Sequence, residues 1–505
     1  MKRIATVILG LALAAALAVA PAAAKDKDTL VVVQEAEPVG LDIMQSSIQT
    51  TMSVAYNIHD TILKPTEEAT VKPGMVEKWE KVDDLTWKFT LVKGATFHNG
   101  EPITSAAVKF SFDRLMSDAL KSPHKGKLTI FKGVEVIDDL NFKMSTSQPY
   151  APGLYMLAQY LFVVPPAYVQ KVGDAEYNLN PVGSGPYKLE KWNKGQDIVM
   201  TAYDKYYGPK PAYKKLIFKG VPEEASRIAS LLTGEADVIS GVPVHQRKKI
   251  LDSGKAYLTD QMGSMNYLGL NTYEKPFSDV KVRQAVNHAV NRPLINKALF
   301  NDKAILCAGP ISPRPFGADP GLKPYAYDPA KAKQLLAQAG ASNATITFNY
   351  PSGVSRPYMP NPENTFAAIR SQLEAVGLKI TPVADKWSPE YLDKIQGGAK
   401  HGIHLLGWTG DYNDTDNFVG VFFGKKSNEW GFDNPQLFAA LNKARGLPTL
   451  QEQIPLYKQI NKQIMEFLPG VPLASPVPSL AFSATVKGYE PSPVQNEVWN
   501  TISVG

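Results

Sequence analysis

The sequence predicts an α/β fold with more than one domain. From residue 330 onward the pattern alternates between helix and strand, which is typical of a wound α/β lobe. Earlier in the chain, turn-forming residues separate short strands from amphipathic helices. The chain has 505 residues, a length that suggests about two to four domains and a large buried core.

The chain begins with an export signal. Lys2 and Arg3 form a positive n-region, an apolar Ala- and Leu-rich run follows, and Ala22 to Ala24 form a small-residue cleavage site. We therefore expect cleavage after Ala24, with Lys25 as the mature N-terminus. An uncleaved membrane anchor is the alternative, because the apolar run is nearly long enough to span a bilayer.

Composition argues against several classes of protein. The formal net charge is +6, with Lys and Arg dispersed along the chain, so nucleic acid is not an expected partner. The single Cys307 cannot form an intrachain disulfide, so the hydrophobic core has to supply the stability. No later apolar run reaches spanning length, which predicts a soluble mature chain.

Periodicity and turn residues define the elements of the first half. Trp87, Phe89 and Leu91 alternate as in a half-buried strand, and Thr104 is placed to cap a helix. In chain order we predict a strand at 29–38, a strand at 87–91, a helix from 105, a strand pair at 134–146, a hairpin at 180–203, and a helix with a short strand at 223–240.

The second half has the clearer alternation. In chain order we predict a strand at 267–272, a helix pair at 279–300, a helix at 330–340, a strand at 345–353, a helix at 364–377, and strands at 378–384 and 402–408. Ligands of such lobes bind at the carboxyl ends of strands. Arg356 and Asp411 each follow one of these strands, so both are candidate site residues.

The stretch 407–418, GWTGDYNDTDNF, contains three acids, but it does not predict a metal site. A calcium loop beginning at Asp411 would need Gly where Asp416 stands. His401 and His404 are three residues apart, a spacing that puts them on opposite faces of a strand. We expect neither a metal nor a cofactor. Neither G-x-S-x-G nor H-E-x-x-H occurs, so we do not expect an enzyme.

Six motifs together resemble the large periplasmic solute-binding proteins of ABC transporters. They resemble the peptide/nickel family (family 5) and, within it, most closely the dipeptide-binding proteins. The motifs are TWKFTLVKGATFHNGEPITSAAVKFSFDRL, NPVGSGPYKLEKWNKG, LLTGEADV, YLGLNTYEKPFSDVKVRQAVNHAV, SRPYMPNP and GWTGDYNDTDNF. The resemblance covers essentially the whole mature chain.

The resemblance implies a two-lobed periplasmic binding protein fold of type II, in the large cluster with an extra inserted domain, hinged by crossing strands. The expected division is a signal peptide at 1–24, a discontinuous lobe I at 25–62, 178–278 and 475–505, an inserted small α/β domain at 63–177, and lobe II at 279–474.

The resemblance also implies the ligand-binding residues. Asp411, three residues after Trp408, matches the carboxylate that pairs with a peptide's α-ammonium, and a buried ammonium needs such a partner. Arg356, in the context RPYMPN, matches the residue that holds the solute carboxylate, for which a guanidinium fork is suited. The alternatives are a helix cap for Asp411 and an interlobe or surface salt bridge for Arg356.

Further residues are predicted to line the cleft. Trp408 and Tyr358 are candidate apolar walls, although aromatic residues in this setting are more often core, and Gly410 would let the backbone approach the ligand. Main-chain groups near Glu35 and Ala36 are expected to line the cleft from the other lobe. Asp414 and Asp416 are expected to cap the following turn or bind the chain's own amides.

The predicted function is a monomeric periplasmic receptor that captures dipeptides between its lobes and delivers them to an ABC permease in the inner membrane. The alternatives within this class are another zwitterionic solute, such as an opine, glutathione or an amino-acid conjugate, or haem. An exported hydrolase and a periplasmic chaperone are the alternatives from other classes. Side-chain preference is not determined by the sequence.

Overall fold

A computed structural model describes residues 27–66, 70–260, 264–310, 312, 317–354, 356, 358–397, 400–410, 414–447, 449–476, 479–492 and 496–504. Within these residues the chain forms two lobes built on a seven-stranded and a six-stranded sheet, with a third domain around a four-stranded sheet. No helix in these ranges is both long and apolar enough to cross a membrane.

The strands, in chain order, are β1 (Thr29–Gln34), β2 (Leu63–Pro65), β3 (Val71–Pro73), β4 (Val76–Lys81), β5 (Thr86–Leu91), β6 (Phe131–Val136), β7 (Asn141–Thr146), β8 (Tyr187–Asn193), β9 (Asp197–Ala202), β10 (Lys215–Gly220), β11 (Val238–Ile239), β12 (Ala256–Asp260), β13 (Met265–Leu270), β14 (Ile305–Leu306), β15 (Thr345–Ser352), β16 (Lys379–Lys386), β17 (Ile403–Trp408), β18 (Gly470–Ser475), β19 (Ser479–Ser483), β20 (Val486–Lys487) and β21 (Ser503–Val504).

The helices, in chain order, are α1 (Gln49–Ile58), α2 (Ser105–Met116), α3 (Lys125–Leu128), α4 (Gly153–Tyr160), α5 (Pro166–Tyr177), α6 (Glu224–Thr233), α7 (Val244–Asp252), α8 (Val280–Ala289), α9 (Arg292–Phe300), α10 (Pro329–Gln338), α11 (Pro362–Ala375), α12 (Leu392–Gln396), α13 (Asp416–Phe423), α14 (Pro435–Gly446) and α15 (Leu450–Phe467). A 3-10 turn at Ile43–Gln45 and a π-helical turn at Trp387–Tyr391 complete the helical segments.

Strand order distinguishes the three units. Lobe I carries the sheet β12-β19-β11-β1-β10-β9-β8, and lobe II carries β14-β18-β13-β17-β15-β16. The inserted domain carries β4-β5-β7-β6, and β2–β3 and β20–β21 form two small pairs. β1 lies between two parallel neighbours, β10 and β11, and all six of its residues are buried. A continuous apolar strand is expected where both faces of a sheet are covered.

Predictions for the first half that rest on a helix cap, a turn or an alternating strand are confirmed. Thr104 accepts a hydrogen bond from the Ala107 amide at the start of α2. Lys194-Gly195 forms the turn between β8 and β9, where Gly195 has φ 76°. β5 shows the alternating burial expected from Trp87, Phe89 and Leu91.

The chain passes between the lobes along two neighbouring segments. β12 of lobe I continues toward β13 of lobe II, and β18 of lobe II continues toward β19 of lobe I. The two paths run antiparallel, and the amide of Ser264 donates to the carbonyl of Pro476 at 3.3 Å between them. Two adjacent antiparallel segments of this kind are suited to act as a hinge.

The predicted boundary between the lobes at 278/279 would place β13 in lobe I, but its strand pairing places it in lobe II. β13 pairs with β17 and β18 inside the six-stranded sheet, so its residues belong with lobe II. The sequence identifies 267–272 as a buried strand, but a buried strand by itself does not show which sheet it joins. The other limits of the expected division remain predictions.

A buried ion pair joins the inserted domain to lobe I. Arg114 of α2 donates from Nη2 to Asp42 Oδ2 at 2.6 Å and to Asp174 Oδ1 at 2.6 Å. The Asp42 carboxylate is fully buried, whereas the side chain of Asp174 is 49% exposed. Asp42 is therefore the partner that compensates the buried guanidinium.

Asp42→Asn keeps the shape of the side chain but removes its charge. We expect the free energy of unfolding to fall by about 2–3 kcal/mol, since one partner of a buried pair is lost while Asp174 remains. Urea unfolding measures this. Asp113→Asn, on the exposed side of the same helix, is the control and should cost less than about 1 kcal/mol. Equal effects of the two substitutions would contradict the assignment.

Candidate ligand-binding site

Two parallel strands of lobe II end at the same edge of the sheet. β15 pairs with β17 in parallel, with Phe348 opposite Ile403 and Asn349 opposite His404. Arg356 and Tyr358 follow the end of β15, and Trp408 is the last residue of β17. The pairing therefore brings these predicted residues to one edge.

Arg356 is held by a tight turn and by aromatic rings. Its backbone pairs with that of Met359 through hydrogen bonds of 3.2 and 2.9 Å. Its guanidinium carbon lies 4.8 Å from the centre of the Trp387 ring and 5.9 Å from that of Tyr358. Its Nε is buried, and no described residue accepts a hydrogen bond from it or forms an ion pair with the guanidinium. The described residues therefore do not supply the salt bridge considered as the alternative role.

Trp387 is a further candidate site residue, beyond those predicted from the sequence. It follows β16, which pairs in parallel with β15, so it lies at the same edge of the sheet as Arg356. The rule that ligands bind at the carboxyl ends of strands would have identified it if applied to β16. Its half-buried ring stacks on the guanidinium, and such a contact restricts the orientation of the planar fork.

Tyr358 is a core residue that packs the Arg356 turn onto β17. Its side chain is buried, and a Cβ placed on Gly407 would lie 2.3 Å from its ring. Its carbonyl accepts a hydrogen bond from Asn266 Nδ2 at 2.6 Å, which ties the turn to β13. Burial raises the pKa of its hydroxyl to about 12 despite the nearby Arg356 charge, so the phenol stays neutral.

Trp408 is half-buried and makes polar as well as apolar contacts. Its indole N–H donates to Asn417 Oδ1 at 3.1 Å, and Phe422 packs edge-on at 5.8 Å. Two residues later, Gly410 has φ 78°, a conformation that side chains with a Cβ rarely adopt. Asp411 lies outside the described residues, so its predicted role stays a prediction.

The lobe I candidates lie at the carboxyl end of β1. Glu35 is half-buried, and its Oε2 accepts from the Ser240 hydroxyl at 2.9 Å. Ala36 is exposed, and its carbonyl accepts from Gln34 Nε2 at 2.9 Å. No described contact joins either residue to Arg356, Tyr358, Trp408 or Gly410, so their place in the cleft also stays a prediction.

The two acids that follow Asp411 differ in role. Asp414 Oδ1 accepts from the Asp416 amide at 2.7 Å, which confirms its expected binding of a backbone amide. Asp416 instead pairs with Arg445, whose Nε donates to Oδ1 at 2.7 Å. Burial and the neighbouring Asp416 raise the pKa of Asp414 to about 8. Burial also raises the pKa of Asp416, although the Arg445 charge acts in the opposite direction.

The expectation that His401 and His404 lie on opposite faces is wrong. Their ring centres are 5.0 Å apart, because His401 precedes β17 and does not follow its alternation. Both rings face Glu429. His401 Nε2 lies 3.0 Å from the Glu429 carbonyl oxygen, and His404 Nε2 lies 3.4 Å from the Glu429 carboxylate. Across the described ranges, no group of three or more His, Cys, Asp or Glu side chains is arranged to hold a metal ion.

Asp414→Asn tests the buried acid beside the candidate loop. Asp414 keeps its proton in the folded protein below about pH 8, whereas an unfolded Asp ionises near pH ~4. Between these values the folded state binds more protons, so wild-type stability falls as pH rises. The melting temperature of Asp414→Asn, relative to wild type, should therefore increase from about pH 5 to about pH 8. Asp433→Asn, at an exposed acid, should show no such trend.

Comparison with known proteins agrees with this architecture. The model of bacterial extracellular solute-binding proteins, family 5 (middle part), matches residues 70–430. Heme-binding protein A of Haemophilus influenzae is 31% identical over 462 residues, which cover 86% of this chain and 84% of that protein. The dipeptide-binding protein of Escherichia coli is 30% identical over 510 residues, which cover 94% of each chain.

A solved structure extends the comparison to three dimensions. The ABC transporter-associated periplasmic binding protein DppA from Helicobacter pylori, in complex with the peptide STSA, matches with a TM-score of 0.80 and 26% identity. The match covers 94% of this chain and 98% of that one. The predicted two-lobed periplasmic binding protein fold is confirmed. The chain belongs to family 5 of the bacterial extracellular solute-binding proteins.

Proposed function

We propose that this protein is a periplasmic receptor that binds dipeptides between its lobes and delivers them to an ABC permease of the inner membrane. The observation that carries the proposal is the state of Arg356. Its guanidinium lies against Trp387 at the carboxyl edge of the lobe II sheet, with no described carboxylate paired to it.

A guanidinium in this setting suits a solute carboxylate. Its planar fork can take both carboxylate oxygens, and the Trp387 ring restricts its orientation before the ligand arrives. The buried Nε has no acceptor among the described residues, and an unmet buried donor costs free energy. An incoming carboxylate would supply acceptors for the fork.

Asp411 is the proposed partner for the α-ammonium at the other end of the solute. It follows Gly410 directly in the loop after β17, whereas Arg356 lies in the loop after the neighbouring strand β15. Two opposite charges at neighbouring strand ends set a fixed span between the termini of the solute. Such a span favours a short zwitterion over a long peptide. Glu35 and Ala36 would contact it from lobe I on closure.

Haem is a second candidate ligand. One relative that covers most of this chain, at 31% identity, is a haem-binding protein. Haem carries carboxylates that Arg356 could hold, but it has no ammonium for Asp411. An opine, glutathione or an amino-acid conjugate would present both charges, so these solutes fall within the main proposal.

The proposal includes three further points. The signal peptide is cleaved after Ala24, the mature protein is a monomer, and the protein binds its solute without chemical change. Membership of a family of solute-binding proteins supports the last point over a hydrolase or a chaperone. Turnover of any bound peptide would exclude it.

Arg356→Met tests the carboxylate site. Calorimetry on the ligand-stripped protein should show roughly 10²-fold weaker binding of Ala-Ala, since one partner of a buried charge pair is removed. Wild type should discriminate against C-terminally amidated Ala-Ala, and the variant should not. Arg370→Met, at an exposed arginine paired with Glu374, is the control and should bind like wild type. Equal binding of the free and amidated peptides by wild type would exclude this role of Arg356.

Asp411→Asn tests the ammonium site in the same way. Wild type should reject N-acetylated Ala-Ala. The variant should bind the free and acetylated peptides about equally, and it should bind the free peptide on the order of 10²-fold more weakly than wild type does. Asp393→Asn, on α12 of the same lobe, serves as the control. Strong binding of haem by visible absorbance, with no response to any dipeptide, would favour the haem alternative.

A further inference from the structure

The turn that carries Arg356 is seated in the core of lobe II by the residues that follow it. The Tyr358 ring is buried and packs against Gly407 of β17, and Met359, whose backbone pairs with that of Arg356, is completely buried. The guanidinium itself makes only aromatic contacts and is not held by an ion pair with any described residue. The place of the Arg356 fork therefore depends on what holds this turn.

One buried amide side chain holds the turn against the sheet. Asn266 is the second residue of β13 and is only 1% exposed. Its Nδ2 donates to the Tyr358 carbonyl at 2.6 Å, and its Oδ1 accepts from the Ala474 amide of β18 at 2.9 Å. Asn266 thus joins the turn to two neighbouring strands of the lobe II sheet.

The ladder between β13 and β18 is irregular at this residue. β18 has one extra residue, Leu473, between the partners of Asn266 and Tyr267. A bulge of this kind interrupts the backbone hydrogen bonds of a ladder, and a buried amide needs another acceptor. The Asn266 side chain supplies one to Ala474. Because one end of the side chain is fixed by the ladder, the other end fixes the distance of the Tyr358 carbonyl from the sheet.

We propose that Asn266 is a positioning residue for the solute carboxylate: by holding the Tyr358 carbonyl, it keeps the Arg356 fork where it can take both carboxylate oxygens. The inference rests on the proposed function, in which Arg356 binds that carboxylate. Both polar atoms of the Asn266 side chain are bonded within the chain, so the residue acts through Arg356 and does not need to contact the solute.

Bidentate binding makes the position of the fork important. Two parallel hydrogen bonds form only when the guanidinium and the carboxylate face each other correctly, and a small displacement weakens both. Trp387 restricts the plane of the fork, whereas Asn266 restricts the backbone from which the side chain extends. A peptide with an amidated C-terminus has no carboxylate for the fork, so its binding depends much less on this placement.

The test compares two affinities in each protein. Calorimetry on the ligand-stripped protein would measure binding of Ala-Ala and of C-terminally amidated Ala-Ala, and wild type should prefer the free peptide. Asn266→Leu removes both hydrogen bonds at similar side-chain volume and should lower this preference by roughly fivefold. Added to Arg356→Met, it should not change the preference further, because the residue acts through Arg356. A role in stability alone would weaken binding of both peptides by the same factor.

Asn271→Leu is the matched control. Asn271 is also buried, donates from Nδ2 to the Asn428 carbonyl at 3.0 Å and accepts the Tyr273 amide at 3.1 Å. It follows the other end of β13, so it makes the same kinds of hydrogen bond away from the Arg356 turn. Its preference for the free peptide should equal that of wild type. Asn266→Ser is a second, smaller substitution that should lower the preference if Asn266→Leu does not fold.

The outcomes separate this inference from the proposed function. If wild type prefers the free peptide and the folded Asn266 variants prefer it equally, Asn266 has no positioning role, but the carboxylate site remains. An equal loss of preference in Asn271→Leu would also overturn the inference, since it would show a general effect of losing a buried amide. If wild type binds neither peptide, or binds both equally, the proposed carboxylate site and the role of Asn266 both fail.

Discussion

The placement of the two lobes depends on the antiparallel chain segments that pass from one sheet to the other. β12 pairs with β19 in lobe I, and β13 pairs with β18 in lobe II, so both segments lead from a paired strand of one sheet to a paired strand of the other. Asn266 on β13 accepts from the Ala474 amide at 2.9 Å and donates to the Tyr358 carbonyl at 2.6 Å. The turn that carries Arg356 is thus bonded to β13, the strand by which the chain enters lobe II.

Three arginines show how charge is used differently in this protein. Arg114 compensates Asp42 and Asp174 between lobe I and the inserted domain, and Arg445 compensates Asp416 inside lobe II. Arg356 instead has aromatic neighbours and no described acid. Because the buried Nε of Arg356 has no acceptor among the described residues, this guanidinium is suited to a partner from outside the chain.

The acidic stretch after β17 separates into distinct roles. Asp414 is buried and accepts a backbone amide, and Asp416 is buried and anchors the start of α13 to Arg445. Both therefore serve to hold the loop rather than to bind a ligand. Asp411 is the acid that we propose for recognition, and Lys127 and Ala151 of the inserted domain contact Trp408 and Arg445 of lobe II.

The amino-acid sequence by itself determined those features that rest on local chemistry. These include the Thr104 cap, the glycine turn at Gly195, the alternating burial of β5 and the buried face of α8, where Val282, Ala285, Val286 and Ala289 are almost completely buried. It also placed Arg356 after a strand end. Periodicity and turn preference act over a few residues, so they can be read along the chain.

The tertiary structure decided what depends on distant partners. Only sheet pairing assigns β13 to lobe II, and only packing brings Trp387 onto Arg356, His401 beside His404 and Lys127 onto Trp408. Most of these contacts join residues that are far apart in sequence or belong to different domains. The contact between His401 and His404 depends instead on where a strand begins. No local pattern specifies which side chain will lie across a domain boundary, because that is set by how the folded units pack together.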